Sequence, residues 1–199
     1  MEVAVIPEVQ SGVKETEFMG FPLVSLEKKK VAARFGYMAI NLYEPPSSAT
    51  WGKYNDRKVS GNHVRTLVTD FKRTVENCNE MDCIEVALRP EWLSNGDKVL
   101  KTIEGLTIDD VPVMEFTVDG EAAMVVEKLT MLGGNHRRHA LKKHIVWMDG
   151  RIENEEKRLK QTPSEEVETV HAIGGIIADL KRDRDRACRW AVRIFDVGE

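Results

Sequence analysis

The stretch LGGNHRRHAL, residues 132–141, decides how this chain is expected to fold. An apolar run, Val125 to Leu132, leads into its two glycines, and a basic, helix-compatible segment follows them. This order predicts a strand, a tight turn and the start of a helix. Backbone N–H groups at a helix start have no partner inside the helix, and the helix dipole makes that end positive. Because glycine also lets a bound group approach the backbone closely, the stretch predicts a turn that cradles phosphate.

The residues of this turn that are predicted to contact phosphate groups are Gly133, Gly134, Asn135, His136, Arg137 and Arg138. The glycines admit the phosphates, Asn135 and His136 present donors, and the arginines neutralise charge. Two arginines at a helix start oppose the helix dipole, so a bound anion would offset an otherwise unfavourable arrangement. The tripeptide Gly-Asn-His occurs at both 61–63 and 134–136, but the flanking residues differ and we interpret the repetition as chance.

Composition limits the class of protein. The chain has 199 residues, 42% of them hydrophobic, which suffices for one compact domain with elaborations. Its formal net charge of −4 does not support DNA as a partner. Three cysteines are too few and odd in number for a disulfide framework, which favours an intracellular setting in the cytoplasm or nucleus. No apolar run approaches the roughly 20 residues of a membrane helix, and residues 1–7 do not resemble a secretory signal, so no membrane association is expected.

Hydrophobic periodicity predicts the remaining elements. Alternating apolar residues predict strands at Tyr37–Tyr43, Cys83–Leu88 and Trp190–Phe195, and a hairpin of Val111–Val118 and Val125–Leu132 with a tight turn at Asp119-Gly120. Apolar residues three and four apart predict helices at His63–Asn77, at Asn135–Trp147 and after Pro163, the last interrupted at Gly174-Gly175. The charged residues 149–163 are expected to form an exposed helix or a linker.

The last segment, Trp190–Phe195, fits two patterns. Alternation places its even-numbered residues on one face of a strand, whereas Ala187, Trp190 and Ile194 also lie at helical spacing. Aromatic and β-branched side chains predominate in the segment, which favours the strand. We therefore predict a strand that returns to the main sheet.

Residues 50–146 resemble the ParB/sulfiredoxin superfamily. Sulfiredoxins carry Gly-Gly-Cys-His-Arg before a helix that contains alanine, and ParB proteins carry Gly-Glu-Arg-Arg followed by an alanine. The matching residues here are Gly134, His136, Arg137, Arg138 and Ala140. ParB domains also run Asn-x-Arg, helix, short strand and glycine turn, and Asn55-Asp56-Arg57 precedes the predicted helix of this chain.

The resemblance implies an α+β fold, a small mixed sheet with helices packed mainly on one face. It also implies a division of the chain. Residues 1–45 would form an N-terminal extension, 46–148 the ParB/sulfiredoxin-like core, 149–187 a helical insertion and 188–199 the final core strand. On this view the strand after the turn helix completes the same sheet.

The resemblance further implies a nucleotide-binding domain that takes a nucleoside diphosphate or triphosphate, ATP or CTP, with NTPase or phosphotransferase activity as an extension. Arg57 would join the turn in binding the nucleotide, and Asp56 is a candidate catalytic base, with a surface salt bridge as the simpler interpretation. Phosphoryl transfer would require Mg²⁺. Asn135 stands where ParB has a metal-holding glutamate and where sulfiredoxin has its catalytic cysteine, so sulfinic-acid repair is not expected.

Other interpretations stay open. A ParB-like module that associates with DNA or protein without turnover is the main alternative, and an inactive relative kept as a scaffold is another. His136, His139 and His144 invite a zinc site, but no fourth ligand is evident, and we predict no metal. Cys78 and Cys83 are interpreted as inert thiols. The nucleotide base, the phosphate acceptor and the oligomeric state are not indicated by the sequence.

Overall fold

A computed structural model describes residues 17–18, 21–22, 31–46, 49–51, 58–127 and 129–197. The chain divides into two units, Met1–Ala33 and Arg34–Glu199. In the first unit, strand β1 (Glu17–Phe18) pairs antiparallel with β2 (Phe21–Pro22). The sequence also contains three consecutive lysines, Lys28–Lys30, which lie outside the described residues.

The second unit holds the main sheet and the longer helices of the described residues. Its elements in chain order are β3 (Arg34–Asn41), β4 (Thr50–Trp51), α1 (Gly61–Phe71), β5 (Ile84–Leu88), α2 (Val118–Glu127), β6 (Thr130–Met131), α3 (Asn135–Gln161), α4 (Val167–Cys188) and β7 (Arg189–Asp196). Short 3₁₀ turns occur at Glu80–Asp82, Pro90–Trp92 and Gly96–Lys98. The predicted α+β class is therefore confirmed.

The strands of this sheet lie side by side in the order β3-β7-β5-β6-β4 within the described residues. β7 pairs antiparallel with β3 and parallel with β5. β6 pairs antiparallel with β5 and parallel with β4. The sheet is thus mixed, and its last strand in sequence lies inside it with a neighbour on each side.

Alternation along β3 and β7 gives the sheet two apolar faces. One face buries Met38 and Ile40 from β3 and Trp190, Val192 and Ile194 from β7, together with apolar residues of the helices. The opposite face is smaller and packs against the loop residues that follow β5. Its buried members are Tyr37, Ala39, Ala191, Ile103, Ile108 and Val111. The helices therefore cover one face, and a loop covers the other.

Helices α3 and α4 form an antiparallel pair. Ile152 on α3 and Ile173 and Ile177 on α4 are buried. Toward the solvent, Asp149 on α3 accepts from Arg184 on α4 at 2.5 Å. Within the described residues, no helix combines the length and the apolar character that crossing a bilayer requires.

The predicted strand at Trp190–Phe195 is confirmed and extends to Arg189–Asp196. Its register pairs Trp190 with Ile40 and Val192 with Met38 on β3. The alternative helical pattern at Ala187 is also explained, because α4 ends at Cys188, directly before the strand. The strands near Tyr37–Tyr43 and Cys83–Leu88 are confirmed as β3 and β5.

The helix predicted at His63–Asn77 is six residues too long at its end. Helix α1 begins at Gly61, after Ser60, whose Oγ accepts from the N–H of His63, and it ends at Phe71. Asn77 is instead held by β7 and the end of α4, since its Nδ2 donates to the carbonyl oxygens of Arg186 and Arg189 at 2.7 Å each. These long-range hydrogen bonds favour a loop over a further helical turn.

The hairpin predicted at Val111–Val118 and Val125–Leu132 is wrong. Residues 118–127 form α2, and the strand before the glycines is only Thr130–Met131. The Oγ1 atom of Thr117 accepts from the N–H of Gly120 at 2.8 Å, which is the capping contact of a helix start rather than a tight turn. A Cβ at Gly120 would lie 2.5 Å from the carbonyl oxygen of Trp92, so glycine is required by close packing.

The helix after the turn is longer than predicted, because α3 runs from Asn135 through the charged segment to Gln161. The glycine pair 174–175 does not interrupt α4, which is continuous from Val167 to Cys188. The proposed division into an extension, a core, an insertion and a final strand stays a prediction.

Candidate functional site

The turn at residues 132–134 has the predicted position between a strand and a helix. β6 ends at Met131, the N–H of Leu132 donates to the carbonyl oxygen of Glu85 at 2.8 Å, and α3 begins at Asn135. Residues 132–138 are all half-buried. The local order of strand, glycine turn and helix start is therefore present.

The two glycines of the turn have different roles. Gly134 has φ +86°, a left-handed conformation that favours glycine, and a Cβ there would lie 2.6 Å from Cδ1 of Ile84. Gly134 is thus needed to close the turn against β5. A Cβ at Gly133 would meet no described atom within 4 Å. The open side of the turn, where a bound group could approach the backbone, is therefore at Gly133.

His136 joins this turn to the start of another helix. Its Nε2 accepts from the backbone N–H of Ser60 at 3.0 Å, across 76 residues of sequence. The rings of His63 and His136 meet edge to face with their centroids 5.0 Å apart. The N-terminal turns of α1 and α3 therefore lie next to each other. With Nε2 accepting, the donor of a neutral His136 is Nδ1–H.

The electrostatics of both helix starts favour an anion. Neither the first turn of α1 nor that of α3 carries an acidic side chain, whereas the first turn of α2 carries Asp119 and Glu121. Acidic groups at a helix start stabilise the helix through its dipole. At α3 the first turn instead carries Arg137 and Arg138.

Arg137 reaches the interior as well as the turn. Its Cζ lies 5.9 Å from the centroid of the Trp190 ring, in cation–π range. The side chain also lines a pocket of about 350 Å³ between α1 and β7, together with Asp70 and Glu76. Its predicted role in phosphate binding is not tested by this geometry.

Other predicted site residues lie apart from the turn or outside the described structure. Asp56 and Arg57 fall within residues 52–57, which are outside the described residues. His139 is exposed, and His144 is buried at 3% exposure among aromatic rings. Within the described part of the chain, no group of three or more His, Cys, Asp or Glu side chains could hold a metal ion.

The cysteines are free thiols in apolar surroundings. Burial raises the pKa of Cys83 to about 11 and that of Cys188 to about 11. Burial also raises the pKa of Cys78. Thiols with such pKa values are protonated near neutral pH and are poor nucleophiles.

Sequence reasoning missed Ser60 and His63. The signal was present, because the two Gly-Asn-His tripeptides that were interpreted as chance are the places where α1 and α3 begin. Their histidines are the rings in contact. The repeated tripeptide thus coincides with the two helix starts that lie next to each other.

A larger cavity was also missed. A groove of about 940 Å³ lies between residues 72–81, residues 103–108 and the helices α3 and α4. His144, Trp147 and Arg151 line it at helical spacing on α3. The pattern was hidden because the predicted turn helix stopped at Trp147, so Arg151 fell in the charged segment 149–163 that was expected to form an exposed helix or a linker.

Comparison of the chain with protein-family models, curated proteins and solved structures gives no match. The ParB/sulfiredoxin resemblance therefore depends on the motifs of this sequence alone. The geometry of the helix starts is the independent observation from which a function can be argued.

Proposed function

We propose that this chain binds the phosphate groups of a nucleoside diphosphate or triphosphate, ATP or CTP, where α1 and α3 begin. The observation that carries the proposal is the contact of His136 with Ser60, which brings two positive helix ends together. Neither first turn contains a carboxylate that would compete with a bound anion. Open space at Gly133 gives the phosphate access to the turn.

The finer assignment to a ParB/sulfiredoxin-like fold is part of this proposal. In its support, α1 precedes the short strand β5, and the glycine turn lies between β6 and α3, with β7 following in the same sheet. The candidate base Asp56 lies outside the described residues, so we propose nucleotide binding and derive no hydrolytic or transfer step.

A matched pair of substitutions at Gly133 tests the site. The full chain is titrated calorimetrically with ATP, ADP, CTP and GTP, each with and without Mg²⁺. Gly133→Asp places a carboxylate where phosphate is proposed to enter, and Gly133→Asn has nearly the same shape without the charge. Because charge-assisted contacts are worth about 1.5–3 kcal/mol, the Asp variant should bind roughly ten- to more than a hundredfold more weakly than the Asn variant.

His139→Ala serves as a control, because the His139 side chain is exposed and lies about one helical turn after His136 on α3. It should leave affinity unchanged, whereas Arg137→Ala should reduce it by the same order as Gly133→Asp. A wild-type chain that binds none of the nucleotides contradicts the proposal. Equal affinities for the two Gly133 variants would place the nucleotide elsewhere. Titration with duplex DNA tests the alternative function, a ParB-like module that associates with DNA without turnover.

A further inference from the structure

The groove of about 940 Å³ is separate from the glycine turn. Its described walls contain no residue of 133–138. Its volume is within the range of small-molecule sites, about 300–1,000 Å³. Buried apolar side chains form part of the wall, among them Phe71, Met148 and Leu180.

One end of the groove is aromatic and basic. The rings of Phe71 and His144 lie 6.0 Å apart, and those of His144 and Trp147 lie 5.5 Å apart. Over the Trp147 ring, Lys72 Nζ and Arg151 Cζ each lie 5.2 Å from the centroid. Two cations from different elements therefore meet at one tryptophan.

These cations have no carboxylate partner within the described residues. Another cation of the groove, Arg186, pairs with Asp109 at 2.6 Å. Lys72 and Arg151 form no such pair with any residue that the structure describes, although Glu76 and Asp183 line the same groove. The positive charge at Trp147 is thus available to an anion from solution.

The His144 side chain adds a polar group that is not satisfied by the described residues. It is 3% exposed, and its buried Nδ1 atom has no hydrogen-bond partner among them. Burial and then Lys72 lower the pKa of His144, so the imidazole is neutral near pH 7. A buried polar atom without a partner is costly, so the described residues leave the groove wall at His144 incompletely satisfied.

We propose that this end of the groove binds an aromatic monocarboxylate, independently of the nucleotide site. The carboxylate lies between Lys72 and Arg151, whose guanidinium can form paired hydrogen bonds with a planar carboxylate. The aromatic ring packs against Trp147, in the part of the groove that His144 lines. A single negative charge is favoured over a phosphate dianion because Glu76 and Asp183 share the groove.

The test uses the full chain and benzoate, with benzamide as the uncharged analogue and inorganic phosphate as the dianion. Binding is followed by NMR through the indole N–H signal of Trp147, identified with Trp147→Phe. Benzoate should shift this signal in a saturable manner and bind at least about tenfold more tightly than benzamide or phosphate. Equal binding of benzoate and benzamide would overturn the role of charge, and tighter binding of phosphate would overturn the ligand class.

Two charge-neutralising variants of the same helix complete the experiment. Arg151→Gln should weaken benzoate binding by about tenfold, the loss expected for one charge-assisted contact. Lys143→Gln removes an equal charge from an exposed position of α3 outside the groove and should leave binding unchanged. Lys72→Gln removes the other positive charge at Trp147, which lies at the end of α1. Benzoate affinity that is unchanged in both Arg151→Gln and Lys72→Gln would overturn the proposal.

Discussion

The substitution Gly134→Ala should destabilise the second unit through the turn before α3. Gly134 combines a left-handed φ of +86° with contact against β5. An added Cβ would lie 2.6, 2.7 and 3.2 Å from the side-chain carbons of Ile84. The alanine must therefore adopt an unfavourable backbone conformation and displace a fully buried neighbour.

The magnitude follows from these two effects. The left-handed conformation costs an L-residue roughly 1–2 kcal/mol, and overpacking a core site costs roughly 1–3 kcal/mol, a sum of about 2–5 kcal/mol. For a unit of this size, about 1 kcal/mol lowers the melting temperature by roughly 2–4 °C, so a fall of about 4–20 °C is expected.

Urea unfolding and thermal melting of both glycine variants provide the assay. Gly133→Ala is the matched control, because its Cβ meets no described atom within 4 Å and its free energy of unfolding should stay within about 0.5 kcal/mol of the wild-type value. The double variant Gly134→Ala/Ile84→Val removes the nearest clashing carbon, so its loss should be smaller than the sum of the single losses. A Gly134→Ala variant as stable as Gly133→Ala would refute the reasoning.

Three further predictions concern the core. Deleting residues 188–199 removes β7 from the interior of the sheet, so the chain should lose its cooperative melting transition in calorimetry; a truncated chain with an unchanged melting temperature contradicts the topology. Asn95→Ala should lower the free energy of unfolding by about 1–3 kcal/mol, because Asn95 is 5% exposed and its side chain forms hydrogen bonds with the backbone of Val113 and Glu115. A loss below about 0.5 kcal/mol in urea unfolding would show that these hydrogen bonds contribute little. The free energy of unfolding should also fall as pH rises from 9 to 11, because pKa values near 11 for Cys83 and Cys188 mean that the folded chain binds more protons in this range than the unfolded chain. In urea titrations over this pH range, the variant with both cysteines replaced by alanine should show a shallower fall, and an identical slope would contradict the prediction.

The parts of the fold that could be predicted are those in which burial follows local periodicity. In β5, Ile84, Val86 and Leu88 alternate with less buried residues, and the pattern predicted the strand correctly. In β7, both faces are apolar, but Trp190 and its neighbours are aromatic or β-branched and favour extended backbone. Local preference and tertiary packing agree in these segments.

The errors occurred where distant residues decide the local structure. Residues 111–117 are rich in apolar and β-branched side chains, but their backbone is held by Asn95 and by single bridges to Ala39 and Leu93. The helix that follows packs Gly120 against the backbone of Trp92. None of these partners is visible in the local pattern, so strand propensity was misleading there.

The candidate site shows the same division. The glycine turn was predictable because strand, Gly134 and helix are contiguous in the sequence. Its contacts with Ser60 and His63 were not, since they join positions 76 and 73 residues from His136. The groove at Trp147 likewise requires Lys72 from the end of α1, which only the packing of α1 on α3 brings near.

The position of Arg137 determines which experiment can establish phosphate binding. Its guanidinium lies over Trp190, which is 2% exposed in the middle of the sheet. Arg137→Ala therefore removes a cation–π contact as well as a charge near the turn, and reduced nucleotide affinity could follow from either change. A side chain at Gly133 would disturb no packing among the described residues, because none of their atoms lies within 4 Å of its Cβ position. A difference between Gly133→Asp and Gly133→Asn reports the charge alone, so it is this pair, more than any arginine variant, that decides whether the two helix starts bind an anion.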